Sequence, residues 1–308
     1  GRWWRAWVVP CLWVSLSAHD AAAKSPPIPI EAFYGLESIE RGVLSPSGRK
    51  LALLTSEAGP RRALVIVDLE DGNRTRAAVN LNDGDVRGFE WVNDDRLVYT
   101  VIDLQSGARQ QRFSHGLFSI RSDGSEPRVL IKARDDQDSR AADRALAPNH
   151  YLMMVPEGGG DEIIVGRPES DVEGDLRAVH PMRLNVVTRE LVSLARGAPD
   201  HTHHWVFDPA GVPRAAVSDR DGRRRVHWKG PGDDAWKLIS DSPYLEPDFT
   251  PFAVDGKGRL FVQMIDRASG FNVLKRFDFA TGRPEDEPLV STPGYDFDGR
   301  MIVDPGQG

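Results

Sequence analysis

Two patterns of apolar and polar positions recur along this chain. The first is an apolar strand, a tight turn rich in Asp, Asn or Gly, and a second apolar strand, repeated at a spacing of about 40 to 60 residues. Its five copies are LVIVDLEDGNRTRAAV at 64–79, GLFSIRSDGSEPRVLI at 116–131, MRLNVVTRELVSLA at 182–195, RVHWKGPGDDAWKLI at 225–239 and NVLKRFDFATGRPEDEPLV at 272–290. Repetition of this kind is typical of stacked β units, so the chain is predicted to be mostly scaffold.

The second pattern is a turn followed by an apolar strand, and it lies upstream of each copy of the first. Pro presets φ in such turns, and Asp, Asn or Gly tolerates the left-handed position that follows. The six copies are LSPSGRKLALL at 44–54, WVNDDRLVYTV at 91–101, LAPNHYLMMV at 146–155, FDPAGVPRAAV at 207–217, VDGKGRLFVQM at 254–264 and YDFDGRMIV at 295–303. One copy of each pattern makes about four strands, which is one blade of a β-propeller.

The predicted fold is therefore all-β, a β-propeller of four-stranded antiparallel blades over residues 43–308. Five complete blades are expected to start near residues 43, 85, 145, 203 and 249, and a truncated sixth near residue 294. A two-sheet sandwich is the alternative, but it would need shorter turn spacing and no repeated unit. Because a propeller lacking a blade exposes apolar sheet, we also expect these residues to be a fragment of a longer protein.

Composition narrows the function classes. The 308 residues carry a net charge of −7, which disfavours nonspecific nucleic-acid binding. The one dense basic cluster outside the N-terminus is Arg223-Arg224-Arg225, which is predicted to be a solvated hairpin tip.

The N-terminal residues resemble a secretory signal. Arg2 and Arg5 precede an apolar stretch from Ala6 to Leu16, and small residues follow at 21–23. The alternative is a short buried helix. Residues 1–24 are predicted to be a signal peptide, and residues 25–42 a Pro-rich linker and lead-in. Cys11 is the only cysteine, so export without disulfides predicts a periplasmic or secreted protein, with no membrane association after signal cleavage.

The lead-in also carries a family resemblance. Ile30 to Tyr34, followed by VLSPSGRKLA at 43–52, resembles the opening of the prolyl oligopeptidase family of serine peptidases. In bacterial members a phrase like LSPDGKYLA enters the propeller, and here Ser47 stands where Asp is commoner. The resemblance extends over about residues 28–308 as a succession of blades. The same turn occurs in other propeller families, including the periplasmic propeller of the Tol system.

The resemblance implies a two-part architecture, in which a propeller covers an α/β-hydrolase domain that bears the Ser, Asp and His triad. The chain contains no G-x-S-x-G motif, so no catalytic residue is assigned to it, and no cofactor or metal is expected. The function it implies is the non-catalytic propeller portion of an exported serine peptidase, which gates and orients short peptides for a downstream hydrolase domain. The alternative is a free-standing periplasmic propeller that binds protein partners. A propeller enzyme with its own site is a third reading, for which the chain shows no compelling set of residues.

Several clusters of polar residues resemble metal-binding or catalytic sites but are predicted to be structural. His201-Thr202-His203-His204-Trp205 places two imidazoles two residues apart, which suits a metal, but no carboxylate or cysteine partner stands at a known spacing. We predict a turn leading into a strand, with His204 and Trp205 on opposite faces. The other clusters are predicted to be turns or solvated loops: Gly158–Gly160, Asp219–Gly222, Asp296–Gly299, Asp135-Asp136, Asp233-Asp234 and the sequon at Asn73.

Overall fold

The computed structural model describes residues 38–57, 59–105, 115–133 and 144–300. These residues form 20 β-strands in five four-stranded antiparallel sheets, and none of them lies in a helix. A helix able to span a membrane is accordingly not found within these ranges. The all-β prediction is confirmed there, whereas the predicted signal peptide of residues 1–24 lies outside the described residues.

In every sheet the four strands are neighbours in the order in which the chain makes them. Sheet 1 contains β1 (Ile39–Leu44), β2 (Lys50–Thr55), β3 (Ala63–Asp68) and β4 (Arg74–Val79). Sheet 2 contains β5 (Asp85–Asn93), β6 (Arg96–Ile102), β7 (His115–Arg121) and β8 (Arg128–Ala133). Sheet 3 contains β9 (Tyr151–Met154), β10 (Glu162–Ser170), β11 (Leu176–Asn185) and β12 (Leu191–Ser193).

The last two sheets follow the same rule. Sheet 4 contains β13 (Thr202–Phe207), β14 (Pro213–Arg220), β15 (Arg223–Trp228) and β16 (Lys237–Pro243). Sheet 5 contains β17 (Thr250–Val254), β18 (Leu260–Ile265), β19 (Asn272–Asp278) and β20 (Arg283–Pro284). The first strands of sheets 2 to 5 begin within a few residues of the predicted unit starts, and β1 begins at Ile39, before residue 43.

In sheets 4 and 5 the turn between the first and second strands is stabilised by an acidic residue of the turn itself. Asp208 Oδ1 accepts the Val212 amide at 2.9 Å, and Asp208 Oδ2 accepts Arg214 Nε at 2.8 Å. Asp255 repeats the arrangement in sheet 5, where its Oδ1 accepts the Arg259 amide at 2.8 Å. Satisfying the turn's amides in this way explains why the polar residues recur with the apolar strand that follows.

Sheet 3 departs from the predicted placement of this turn. The segment at 146–155 leads into β9, which is the first strand of its sheet, not the second. The turn between β9 and β10 instead contains Gly158–Gly160, with φ of 112° at Gly158 and 72° at Gly159. The prediction that these glycines form a hairpin turn is therefore confirmed.

Consecutive sheets pack face to face along the chain. Leu64 of sheet 1 shares a core with Phe89 of sheet 2, and Leu117 of sheet 2 shares one with Ile163 of sheet 3. Two further cores join sheet 3 to sheet 4 and sheet 4 to sheet 5. Within the described ranges, no core combines residues of the first and fifth sheets. The arrangement is propeller-like, with each sheet stacked on the next.

The segment after β20 returns to sheet 5. The Asn272 amide donates to Asp296 Oδ1 at 2.8 Å, and Gln263 Nε2 donates to the Phe297 carbonyl at 2.9 Å. The Phe297 ring also packs on Phe252, with 5.6 Å between centroids. No strand is formed between residues 285 and 300. The first strand predicted for a sixth blade thus has no counterpart up to residue 300, and its remainder lies outside the described residues.

Candidate functional site

The candidate site lies at one end of sheets 3 and 4. Pairing of Thr202 with Ser218 brings the start of β13 beside the end of β14 and the start of β15. The turn between β14 and β15 is tight, with φ of 53° at Asp221 and 70° at Gly222, as a two-residue hairpin loop requires. The backbone therefore brings the histidines of β13, Asp219 near the end of β14, and Arg223 and Arg224 at the start of β15 to one edge of sheet 4.

Asp219 is the centre of the first polar group. Its Oδ2 lies 2.9 Å from His203 Nε2, and Arg224 donates from Nε and Nη2 to its two oxygens at 2.9 and 2.8 Å. Burial would raise the pKa of Asp219, but the Arg224 bonds and the neighbouring His203 hold it below its usual value. The Arg224 guanidinium also stacks over the Tyr244 ring at 5.1 Å.

His204 pairs with Val217 across β13 and β14, on the face of sheet 4 that packs on sheet 5, and it lies near His203 and Arg224. Its ring donates to the backbone carbonyl of Pro251 in sheet 5, and desolvation is the main reason that its pKa is lowered. Its neighbour Trp205 is buried, and the indole Nε1 donates to the Val179 carbonyl at 2.8 Å. The predicted opposition of His204 and Trp205 is therefore confirmed.

A small pocket of about 250 Å³ lies next to these residues, between sheets 3 and 4. His180 Nε2 lies 2.7 Å from Glu169 Oε2, and Arg177 Nη1 lies 3.5 Å from the other oxygen of that carboxylate. The bond from His180 is the main reason that the pKa of Glu169 is lowered, so the carboxylate stays ionised. His201, in a left-handed backbone conformation with φ of 60°, lines the same pocket.

The pocket exists because β10 and β11 are longer than their neighbours. The two strands pair from Glu162 to Ser170, whereas β9 contacts only residues 164–166 and β12 only residues 182–184. The free part of the hairpin carries Glu169 and His180 beyond the sheet. Sequence reasoning missed these two residues because they are 11 positions apart and are brought together only by the hairpin register.

The pocket presents charged groups of both signs, and Glu169 is paired within it with His180 and Arg177. The ionised carboxylate of Glu169 suits an ammonium group, and the guanidinium of Arg177 suits a carboxylate. Within the described ranges, no group of three His, Cys, Asp or Glu side chains is placed to hold a metal ion. The side chains of Glu169 and Arg177 therefore offer ionic recognition.

The remaining sequence candidates have structural partners. Arg223 donates to Asp241 Oδ1 at 2.5 Å, and Arg225 Nε lies 3.4 Å from Asp241 Oδ2. The arginine run thus begins β15 directly after the hairpin turn, as predicted, and its partly exposed side chains are also paired with acids. Asp233 accepts the Gly230 amide at 3.0 Å within a loop.

Three sequence candidates remain: Asn73, Asp296 and the pair Asp135-Asp136. Asn73, with φ of 61°, stands in the turn before β4, as predicted. Asp296 caps a backbone amide, as described above. Asp135 and Asp136 lie outside the described residues.

A second polar cavity, of about 530 Å³, lies between sheets 2 and 3. Its charges are matched internally. Arg96 Nη2 lies 2.8 Å from Glu126, and Arg121 Nη2 lies 3.4 Å from Asp95. Both ion pairs lie within sheet 2, so these four charged side chains already contact an opposite charge without a ligand.

No family model matches the sequence, and no curated protein matches it. Solved structures do resemble the fold. The dipeptidyl peptidase 4 of Porphyromonas gingivalis is 11% identical, with a TM-score of 0.51 over 85% of this chain and 40% of that one. The acylaminoacyl peptidase of Pyrococcus horikoshii is 14% identical, with a TM-score of 0.47 over 85% and 41%. TolB of Acinetobacter baumannii is 12% identical, with a TM-score of 0.39 over 81% and 55%.

The chain thus spans about two fifths of the two peptidases and just over half of TolB. At such low identity the likeness concerns the fold alone. Together with the five stacked sheets, it defines the described part of this chain as a propeller-like all-β domain.

Proposed function

We propose that this chain is the propeller portion of an exported serine peptidase similar to the prolyl oligopeptidases. The carrying observation is the succession of five stacked sheets, the first of which contains the segment at 43–52 in its strands β1 and β2. A propeller of this kind gates and orients short peptides for an α/β-hydrolase domain farther along the parent chain. The basic and apolar N-terminal segment supports export to the periplasm or the medium.

In this proposal the pocket between sheets 3 and 4 holds the charged groups of the peptide. Glu169 takes a substrate ammonium group and Arg177 a substrate carboxylate, because each is the partner that forms strong charge-assisted bonds. Such contacts act on binding, since they lie apart from the bond that is cut.

The parent protein tests the peptidase assignment. We expect its coding sequence to continue past Gly308 into a strand, a G-x-S-x-G turn and a helix. The whole protein should react with a fluorophosphonate probe, and replacement of that motif's serine by Ala should abolish labelling. A parent that ends after further blades, and that is not labelled, would instead be a free-standing propeller that binds protein partners.

The substrate contacts are tested by Glu169→Gln in the whole protein. We expect KM for a short peptide to rise about tenfold while kcat stays unchanged, because a charge-assisted bond is lost from the bound substrate. Glu190→Gln is the matched control, since Glu190 is exposed on sheet 3 and does not line the pocket. An equal effect of both substitutions would contradict the assignment.

A further inference from the structure

A large cleft lies between sheets 4 and 5, on the side of their outer strands. It has a volume of about 1050 Å³. The cleft is open because β20 contains only two residues, Arg283 and Pro284, whereas the facing outer strand β16 contains seven. The apolar contacts that close other sheet pairs are therefore missing along this edge.

Lys275 is the unusual residue of the cleft. It pairs with Val262 across β18 and β19, so the two side chains share the face of sheet 5 that packs on sheet 4. Only 8% of Lys275 is exposed, and its Nζ donates to the Asp286 carbonyl at 2.7 Å. Within the described ranges, no carboxylate forms an ion pair with it.

Five acidic residues line the cleft: Glu246, Asp248, Asp266, Glu285 and Asp286. Three of them have partners close to Lys275. Glu285 accepts Arg276 Nε at 2.6 Å, and Asp286 lies 3.5 Å from Arg283 Nη2. Asp266 accepts the Ser269 amide at 2.9 Å, which holds it in its own turn. Asp266 is close enough to attract the Lys275 ammonium, but none of these three carboxylates bonds its Nζ, which donates to the Asp286 carbonyl.

The rest of the cleft is partly apolar. Ile239, Phe249 and Met264 line it beside Lys275. A second cavity of about 510 Å³, lined by Trp228 and Phe279 among others, adjoins it and shares Ile239 with it. An apolar group several carbons long can thus be buried near the ammonium.

We propose that this cleft binds an apolar molecule that bears a single carboxylate. Lys275 holds the carboxylate, and the apolar side chains around Ile239 and Met264 bury the rest of the ligand. A buried ammonium with one hydrogen bond to a carbonyl is costly, because two of its three donors lack a strong acceptor. A carboxylate supplies the charge-assisted bonds that offset this cost. The site is independent of the peptidase proposal.

Two kinds of molecule combine an apolar group with one carboxylate: a free carboxylic acid, and a peptide with apolar residues at its C-terminus. Decanoate represents the first, and N-acetyl-Leu-Phe represents the second. Decanol and the corresponding peptide amide carry the same apolar groups without the charge. Each acid is compared with its uncharged analogue by isothermal titration on the full 308-residue chain, below the micelle concentration of decanoate.

We expect at least one acid to bind about tenfold or more tightly than its analogue, and the acid that does so identifies the source. Lys275→Met should remove that preference, whereas Lys275→Arg should retain most of it. Lys257→Met is the control, because Lys257 is exposed in a turn and does not line the cleft.

Equal affinity for acid and analogue in the unaltered chain would overturn the proposal, and this comparison needs no variant. A preference that survives Lys275→Met in a folded protein would overturn it as well. Thermal unfolding of each variant establishes that it is folded before the titration is interpreted.

Discussion

Asp85 is almost completely buried, with 1% of the residue exposed, and its carboxylate is surrounded by donors. The amides of Arg62 and Leu104 donate to it at 2.9 and 3.0 Å, and Arg61 Nη1 lies 2.9 Å away. Burial alone would raise the pKa of Asp85, but these bonds hold it below its ordinary value of 3.8. One side chain thus ties the chain before β3 to the start of β5.

Asp85→Asn should lower the free energy of unfolding by about 1 to 3 kcal/mol, because the buried donors around residue 85 lose an ionised acceptor while Arg61 keeps its pair with Asp103. Since the folded-state pKa is lowered, this stabilisation is complete above pH 3.8 and is lost as the pH falls through the folded-state value. Urea unfolding at several pH values measures it. Asp71→Asn, in an exposed pair with Arg74, should have little effect. A difference that persists undiminished in strong acid would contradict the assignment.

His204 gives a pH dependence of the same sign in a higher pH range. Its pKa is lowered mainly by desolvation, so the unfolded chain binds a proton more readily than the folded one. Its contribution is therefore complete above the ordinary value of 6.5, and stability falls as the pH drops below it. We expect His204→Gln to flatten the stability curve in this range. His201→Gln is the control, and a flattening of equal size there would refute the assignment.

At the scale of elements, equivalent turns differ in what they touch. Gly48 and Gly211 occupy the turn between the first two strands of their sheets, with φ of 72° and 75°. A Cβ at Gly48 would meet nothing within 4 Å, whereas one at Gly211 would lie 2.8 Å from Pro156 Cγ in sheet 3. The two turns therefore have the same backbone conformation, but only the turn at Gly211 packs closely against Pro156.

Gly48→Ala should cost about 1 to 2 kcal/mol, the price of a left-handed backbone with a Cβ. Gly211→Ala carries that cost plus about 1 to 3 kcal/mol for overpacking. Chemical denaturation of both variants measures the difference, with Gly48→Ala serving as the matched control. Equal losses would show that Pro156 moves aside freely.

The elements also show which parts of the fold were predictable. Alternating apolar residues around Asp-Gly or Asn turns identified the second, third and fourth strands of sheets 1, 2, 4 and 5, because period-two burial and left-handed turn positions are local properties. The segment at 146–155 has the same pattern as the other five copies, but it leads into β9, the first strand of its sheet. The residues of a turn favour its conformation and do not determine which two strands it joins. The pairing of Glu169 with His180 was missed for a related reason, since the hairpin register depends on packing.

At the scale of the molecule, the five sheets are stacked in chain order, and the described cores join only successive sheets. An inner sheet such as sheet 3 is packed on both faces by the described part of the chain, whereas sheets 1 and 5 share a core with one neighbour each. Local opening should therefore require less free energy at the two end sheets.

Hydrogen exchange followed by mass spectrometry tests this. We expect the central strands β6, β10 and β14 to exchange more slowly than β2 and β18. Each of these five strands is hydrogen-bonded to a strand on both sides, so the comparison does not mix edge strands with central ones. Equal protection of all five would show that both end faces are covered, as they are in a closed ring.

The sequence by itself determined the secondary structure, the four-strand unit and the predominance of scaffold over chemistry. These follow from the spacing of apolar residues and from turn residues that act within a few positions. Only the tertiary structure decided which charges meet, as at Asp219, Glu169 and Asp85, and that Lys275 is buried beside an open cleft. Those outcomes depend on strand register and on the length of β20, which are set by packing between distant parts of the chain.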